Sequence, residues 1–276
     1  MNVPLGASLS RRNFLRTAGL VTLGAAVGSG RRLQAADAAR PVTKKIFAVS
    51  YRCLYGADRR FLLMHHLLEK VVAKTNPRIC FLPAGHGDDP GRIAYWYETM
   101  QKFSCIPRHQ RVFINTPDYP DWESEILAAD GVFVGGGNTL NIMAIFRAQG
   151  IDRVLRAAWE KGIVMSGESA GANLWFQTCS TDSRPGRLSA TDGLGFLPGT
   201  MAPHLDSPGR EESIRELEKS GELGDGYAGD EGVAFTFEND RLVEVVKNRP
   251  EARAFTLQRN NGNPIFHPLA AKLLGA

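Results

Sequence analysis

The sequence lacks long apolar runs, cysteines in metal-binding spacing and, beyond its first residues, any excess of charge of one sign. No uninterrupted apolar stretch approaches the roughly 20 residues that a transmembrane helix requires, so no membrane anchor is predicted. No two of the four cysteines form a C-x-x-C pair, which does not favour a zinc site. Their spacing leaves disulfide pairing open; they are Cys53, Cys80, Cys105 and Cys179.

The formal net charge of +4 comes from the N-terminal residues alone. Residues 1–38 hold five of the 33 lysines and arginines but one of the 29 acidic residues, so residues 39–276 carry 28 of each. A nucleic-acid-binding domain normally shows a basic stripe, and none is present here. With 43% hydrophobic residues, the rest of the chain is long enough for one substantial core, and no nucleic-acid partner is predicted.

The first residues are typical of an export signal. Residues 10–16 read SRRNFLR, and a stretch rich in glycine and alanine follows the paired arginines Arg11 and Arg12. This pattern resembles a bacterial twin-arginine signal. Residues 36–38, Ala-Asp-Ala, fit the small-x-small rule for cleavage. We therefore expect residues 1–38 to be a signal peptide, and the protein to reach the periplasm or another exported location through the twin-arginine machinery.

Strand and helix patterns alternate through the first part of the remaining chain. Segments with apolar residues at helical spacing separate five apolar runs, at residues 45–50, 79–82, 111–115, 132–134 and 163–165. This alternation predicts an α/β fold with a doubly wound, mostly parallel sheet flanked by helices.

The C-terminal part has a different pattern. Residues 192–204 are rich in glycine and proline and are predicted to be irregular, whereas residues 209–221 form a charged amphipathic helix pattern. Residues 232–237, 242–246 and 254–257 are predicted to be short antiparallel strands. We therefore expect one α/β domain over residues 39–276 with a small antiparallel C-terminal extension.

One loop, at residues 83–90, contains a histidine and two aspartates. No further ligand cluster accompanies His86, Asp88 and Asp89, and Asp89 followed by Pro90 is typical of a helix N-cap with proline at the first position. The ligand number and spacing do not support a metal. No metal and no cofactor is predicted.

The chemistry-bearing motifs lie in residues 131–182. An apolar run ends at the three glycines Gly135 to Gly137, and a second run ends at GESAG, a G-x-S-x-G pentapeptide centred on Ser169. A serine on a tight turn between a strand and a helix is held with its hydroxyl exposed. Both motifs belong to the carboxyl edge of the predicted parallel sheet. The N–H groups of Gly136, Gly137 and Ala170 are therefore predicted to form an oxyanion hole.

A serine nucleophile also needs a base. His204 follows a proline in the irregular segment, where its small and polar neighbours leave it free to reach a partner. It lies 35 positions after Ser169, and an ordinary α/β-hydrolase spreads its triad much further along the chain. The pattern thus favours a serine hydrolase of another fold.

Four segments together, VFVGGGNTLNIM, GESAGANLWF, TDS and DGLGFLPGTMAPH, resemble the peptidase E family of serine peptidases and its cyanophycinase-type relatives. The resemblance covers residues 46–257 and implies the sheet of class I glutamine amidotransferases, with serine replacing their cysteine. It implies that Ser169 is the nucleophile, His204 the base, and an acid about a dozen residues beyond the serine their partner. Asp182 is the best match for that acid; Asp230, Asp206 and Glu168 are the alternatives.

The resemblance also suggests substrate contacts. The family's best-known activity is cleavage of dipeptides that begin with aspartate, so a basic group is expected to receive that carboxylate. Arg184 and Arg187, just past Asp182, are the candidates, and Asn138 ends the GGGN loop. Glu168 stands beside the serine where dipeptidase members tend to carry an aromatic or apolar residue, which makes it a further candidate for substrate contact.

We therefore predict an exported serine hydrolase that cleaves short peptides, aspartyl dipeptides among them, through a Ser-His-Asp triad and an acyl-enzyme. Two other hypotheses remain open. One is a cyanophycinase-like exopeptidase acting on aspartyl-arginine units. The other is a non-catalytic, glutamine amidotransferase-like binding protein, which the intact serine, histidine and triple glycine argue against.

Overall fold

Residues 42–54, 61–113, 121–260 and 262–275 are the part of the chain that the computed structural model describes. The predicted signal peptide and its cleavage site lie outside these residues. Along the described part, no helix has the length and apolar character needed to cross a bilayer.

The described strands form two sheets. In chain order they are β1 (Lys45–Val49), β2 (Arg78–Leu82), β3 (Ile106–His109), β4 (Gly131–Val134), β5 (Val164–Glu168), β6 (Phe176–Thr181), β7 (Ser189–Asp192), β8 (Leu197–Ala202), β9 (Gly226–Gly229), β10 (Val233–Glu238), β11 (Arg241–Lys247), β12 (Ala254–Asn260), β13 (Asn263–Leu269) and β14 (Lys272–Leu273).

Helices connect most of the parallel strands. They are α1 (Leu62–His66), which continues as the π-helical turn Leu67–Val72, a 3-10 turn at Ala84–His86, α2 (Pro90–Met100), α3 (Trp122–Leu127), α4 (Thr139–Gln149), α5 (Ile151–Glu160), α6 (Ala170–Asn173) and α7 (Arg210–Ser220). The N-cap predicted at Asp89 is confirmed, because its side chain accepts a hydrogen bond from the N–H of Arg92 at 2.8 Å.

The first sheet has the order β14-β11-β10-β1-β5-β4-β2-β3. Five neighbouring strands of this sheet, β1, β5, β4, β2 and β3, run parallel. Strands β4 and β5 are buried along their whole length, and a strand buried on both faces gives the continuous apolar run that makes it visible in a sequence. Val49 pairs with Glu168, and Val134 with Gly167. The carboxyl ends of β1, β4 and β5 therefore meet at one edge of the sheet.

The third predicted strand is wrong in its position. The strand lies at Ile106–His109, while residues 111–113 of the predicted segment form a bend and residues 114–115 lie outside the described residues. The carboxylate oxygen Oδ2 of Asp88 accepts hydrogen bonds from the N–H groups of Val112 and Phe113, both at 2.6 Å. These N–H groups are thus satisfied by a side chain instead of a neighbouring strand, which the apolar run could not reveal.

The second sheet corrects the expected C-terminal extension. Its order is β13-β12-β9-β8-β6-β7, with β8 parallel to both β6 and β9 and the remaining pairs antiparallel. Residues 197–202, predicted to be irregular, are a strand in this sheet, whereas the antiparallel strand predicted at residues 254–257 is confirmed and pairs with β9 in this sheet. Strands such as LPGTMA contain glycine and proline, so their pairing, and not their composition, makes them strands. The fold is α/β, with mixed, largely parallel sheets flanked by helices.

All four cysteines are free thiols. Burial raises the pKa of Cys80 and of Cys179 to about 12. Thiols with such pKa values stay protonated and are poor nucleophiles at neutral pH.

Candidate active site

Ser169 stands directly after β5 in a backbone conformation that non-glycine residues rarely adopt. Its φ is 55° and its ψ is −118°. The N–H of Ser169 donates to the carbonyl of Val49 at 2.9 Å, and its carbonyl accepts from the N–H of Ala172 at 2.9 Å. Such a conformation costs on the order of 1–3 kcal/mol and persists only where the surroundings enforce it. The turn between β5 and α6 is thus the predicted strained elbow.

The two glycines of the pentapeptide explain how the elbow fits. A Cβ added at Gly171 would clash with the carbonyl oxygen of Val134, and one added at Gly167 would lie 2.6 Å from the carbonyl oxygen of Gly171. No larger residue is accommodated at either position without moving backbone. The motif therefore reflects the close approach of α6 to β4 and β5.

The structure brings the predicted nucleophile and base together. The Nε2 atom of His204 lies 2.7 Å from Oγ of Ser169. His204 follows β8 with a positive φ of 59° and is positioned opposite the elbow. A hydrogen bond of this length allows the ring to take the hydroxyl proton directly.

The acid beside His204 is Glu231, which no motif in the sequence indicated. Its Oε1 lies 3.2 Å from Nδ1 of His204. Asp182, the predicted acid, has a side chain that is 70% exposed and accepts a hydrogen bond from Nη1 of Arg210 at 3.0 Å. Asp182 makes no hydrogen bond to His204 in the described residues, so the expectation that it orients the ring is corrected. The short-range match to a motif could not detect that Arg210 engages this carboxylate.

Two of the three alternative acids, Asp230 and Asp206, also have other partners. Asp230 accepts from the guanidinium of Arg253 at 2.9 Å, and Asp206 accepts from the N–H of Glu231 at 2.8 Å. The signal that could have identified Glu231 is the Gly-Asp-Glu-Gly turn between β9 and β10. Two adjacent carboxylates stand there, and the local pattern does not decide which faces the histidine.

Two further contacts hold Glu231. Its Oε2 accepts a hydrogen bond from Nε of Arg52 at 2.9 Å and forms an ion pair with Nη2 of Arg52, also at 2.9 Å. The opposite carboxylate oxygen is thereby left for His204.

The pKa of His204 is lowered from its ordinary value. Burial is the largest cause and the positive charge of Arg210 the next, while the hydrogen bond and charge of Glu231 and the charge of Asp182 oppose the shift. The neutral ring is therefore favoured at neutral pH. Because Nδ1 faces a carboxylate, we assign the ring proton to Nδ1, which leaves the lone pair of Nε2 for the serine hydroxyl.

Gly136 lies against the nucleophile, as the oxyanion-hole prediction requires. A Cβ added there would lie 3.3 Å from Cβ of Ser169. In the described part of the chain, the N–H groups of Gly136, Gly137 and Ala170 donate to no acceptor. Gly137 has a φ of 120°, and a Cβ there would clash with the carbonyl oxygen of Gly85. Free N–H groups at the elbow are available to a developing oxyanion.

Two predicted substrate contacts have structural partners instead. Glu168 is wholly buried, and its Oε2 accepts the N–H groups of Cys53 at 2.9 Å and Leu54 at 3.2 Å. The expectation that it meets substrate is corrected, because it anchors the chain after β1 beneath the elbow. Asn138 is the N-cap of α4, and its side chain accepts the N–H of Asn141 at 2.9 Å.

The basic group whose positive charge acts on His204 is Arg210, at the start of α7. Arg184 donates to the hydroxyl of Ser189 at 2.9 Å, and Arg187 is exposed. The Arg210 side chain is 11% exposed, and its Nε is buried with no hydrogen-bond partner among the described residues. Its position in a charged helix pattern gave no reason to single it out. Within the described residues, no group of three or more histidine, cysteine or acidic side chains is placed to hold a metal ion.

The chain is similar in sequence to known peptidases. The family model for Peptidase family S51 matches residues 53–245. An uncharacterized peptidase, YgaJ of Bacillus subtilis, is 38% identical over 203 residues, which are 73% of this chain and 87% of that protein. Peptidase E of Citrobacter koseri is 34% identical over 102 residues, 33% of this chain and 44% of that one.

Two solved structures have a similar fold. A peptidase from an acI-B1 actinobacterium superposes with a TM-score of 0.62 at 14% identity, covering 84% of this chain and 96% of that one. A putative peptidase E protein of Listeria monocytogenes gives a TM-score of 0.55 at 15% identity, covering 75% of this chain and 99% of that one. At such identities the likeness concerns the fold alone.

Proposed function

We propose that this protein, which belongs to Peptidase family S51, hydrolyses short peptides. Ser169 is the nucleophile, His204 the base and Glu231 the acid that orients the base. The observation that carries the proposal is the 2.7 Å contact between Oγ of Ser169 and Nε2 of His204 at a strained elbow. This arrangement suits a serine whose hydroxyl must lose its proton as it attacks.

The reaction follows from these positions. His204 takes the proton of the Ser169 hydroxyl while Oγ attacks the carbonyl carbon of the scissile amide. The oxyanion that forms is stabilised by the free N–H groups of Gly136 and Ala170, with Gly137 adjacent. Glu231 stabilises the imidazolium, which then returns the proton to the leaving amine. A water activated in the same way hydrolyses the acyl-enzyme.

We propose that the substrate is a dipeptide whose N-terminal residue is acidic, and that Arg210 receives its carboxylate. Three observations support this: the charge of Arg210 acts on His204, its guanidinium is largely buried, and its Nε has no partner in the described residues. In the free enzyme Nη1 of Arg210 donates a hydrogen bond to the exposed carboxylate of Asp182. A substrate carboxylate would bind the same guanidinium beside it or in its place.

The alternative substrate is an aspartyl-arginine unit. One observation favours it: the Asp182 carboxylate is 70% exposed beside Arg210 and is able to receive the guanidinium of such a unit. The two substrates differ in the charge of the leaving part, so hydrolysis of neutral Asp-X dipeptides and of β-Asp-Arg separates them.

The deciding experiment compares the wild-type protein with its Ser169→Ala variant. We expect wild type to react with a fluorophosphonate probe and to cleave Asp-X dipeptides, and the variant to do neither. Removal of a triad serine lowers kcat by a factor on the order of 10⁶. Undiminished turnover by Ser169→Ala, or no labelling of wild type, would refute the mechanism.

We also propose that the protein is exported by the twin-arginine route. The support is the sequence of residues 10–16 and the small residues at 36–38. Replacement of Arg11 and Arg12 by lysine in a reporter fusion is expected to retain the reporter inside the cell. Unchanged export of that fusion would contradict the proposal.

A further inference from the structure

We infer that Arg52 is a positioning residue of the proposed triad. Its guanidinium holds the Glu231 carboxylate with one oxygen toward His204. It also weakens the effect of the negative charge of Glu231 on the imidazole. The inference rests on the proposed function. Arg52 lies one residue before the segment that the family model matches, so the match to the family does not assign it.

The two oxygens of Glu231 have separate partners. Oε2 contacts both Nε and Nη2 of Arg52, each at a distance of 2.9 Å, whereas Oε1 lies 3.2 Å from Nδ1 of His204. The side chains of Arg52 and Glu231 are 32% and 21% exposed, so the pair is partly shielded from water. A charge-assisted hydrogen bond from Nε and an ion-pair contact from Nη2 hold Oε2, so the carboxylate is fixed with its other oxygen toward His204.

The backbone places Arg52 for this contact. It follows β1 in the left-handed region, with a φ of 69°. The carbonyl of the preceding Tyr51 accepts the N–H of Gly232 at 3.1 Å, and the Asn248 side chain donates to the carbonyl of Arg52 at 3.5 Å. The end of β1 is thereby joined to the turn that carries Glu231. A left-handed arginine costs roughly 1–2 kcal/mol, which these contacts offset.

The backbone of Glu231 is held by other groups. Its N–H donates to Oδ1 of Asp206 at 2.8 Å, and its carbonyl accepts from Nη1 of Arg249 at 3.1 Å. Asp206 and Arg249 also pair with each other at 2.9 Å. Loss of the Arg52 guanidinium should therefore free the carboxylate of Glu231 while its backbone stays in place. An Arg52 variant should therefore change the orientation of the Glu231 carboxylate without unfolding the turn that carries it.

The electrostatic consequence has a definite sign. A carboxylate beside a histidine stabilises the imidazolium and raises its pKa, and a guanidinium on the same carboxylate weakens that effect. Without Arg52, Glu231 would act on His204 with its full charge, so the pKa of His204 should rise. Its ring would also be less well oriented toward Ser169, so the rate should fall.

The test is the pH dependence of fluorophosphonate labelling at Ser169, which needs no knowledge of the substrate. For Arg52→Met we expect the midpoint of the acid limb to rise by about one pH unit and the plateau rate to fall about tenfold. Arg52→Lys keeps the positive charge but loses the planar guanidinium with its several donors. We therefore expect its acid-limb midpoint to be close to that of wild type, while its plateau labelling rate stays below wild type. Arg241→Met, on the exposed start of β11, is the matched control and should leave both unchanged.

With Asp-X dipeptides, Arg52→Met should lower kcat with little change in KM. A lower plateau with an unmoved midpoint would show that Arg52 is merely structural, and would overturn the inference while the proposed function stands. Absence of labelling in wild type would overturn the proposed function itself.

Discussion

The Nδ1 atom of His204 lies 3.2 Å from Oε1 of Glu231, a residue 27 positions further along the chain. The acid nearer in sequence order, Asp182, is bound to Arg210 instead. Each element of the proposed triad thus follows a different strand: Ser169 follows β5, His204 follows β8 and Glu231 follows β9. The two sheets together supply the site.

The two acids should respond differently to neutralisation. Glu231→Gln keeps the shape but removes the charge that stabilises the imidazolium, so we expect kcat to fall by about 10³- to 10⁴-fold. Asp182→Asn should change kcat by less than about tenfold, because it acts on His204 only through its charge. Steady-state kinetics with one Asp-X dipeptide measure both. A large loss in Asp182→Asn with little loss in Glu231→Gln would restore Asp182 as the orienting acid.

The pH profile should reflect the lowered pKa of His204. The base acts only when neutral, and burial and Arg210 favour the neutral ring. We therefore expect the ascending limb of kcat/KM to have its midpoint below about 6.5, the ordinary histidine value. Arg210→Met removes one of the two causes and should move the midpoint to higher pH. A wild-type midpoint well above the ordinary value would contradict this account.

Arg210 should govern the preference for acidic substrates. Loss of a charge-assisted contact costs about 1.5–3 kcal/mol, so Arg210→Met should lower kcat/KM for Asp-X dipeptides by about 10- to 150-fold. Cleavage of Ala-X dipeptides, which offer no side-chain carboxylate, should change much less. Arg187→Met, at an exposed position, is the control. Equal losses for both substrates would show that Arg210 acts on the base and not on recognition.

Gly171 should tolerate no side chain. The Cβ of alanine would clash with the carbonyl of Val134, and overpacking of this kind destabilises by about 1–3 kcal/mol or more. Urea unfolding of Gly171→Ala should show this loss. Gly224→Ala, where nothing lies within 4 Å of the added atom, should change the free energy of unfolding by less than about 1 kcal/mol. Similar stability of the two variants would mean that the elbow yields to the added methyl.

Much of the first sheet was predictable from the sequence. Strands β1, β2, β4 and β5 are buried and contain short apolar runs, and local composition is enough to identify such segments. Strand β3 was misplaced because it is an edge strand whose residues alternate between exposed and half-buried, so its apolar signal is weak. Most of the second sheet was missed for a related reason, although residues 254–257 were predicted to be a strand and lie in it. Strands such as β8 contain proline, glycine and polar residues and show no local period.

The sequence alone determined the elbow and its serine and the glycine loop beside it, because each is set by a local strand, turn and helix pattern, and it singled out His204 through its resemblance to the family's motif. Only the tertiary structure decided which carboxylate meets that histidine and which arginine stands next to it. Those choices depend on how the turn between β9 and β10, the end of β1 and the start of α7 come together. Chain segments far apart in sequence settle that geometry, and no local motif encodes it.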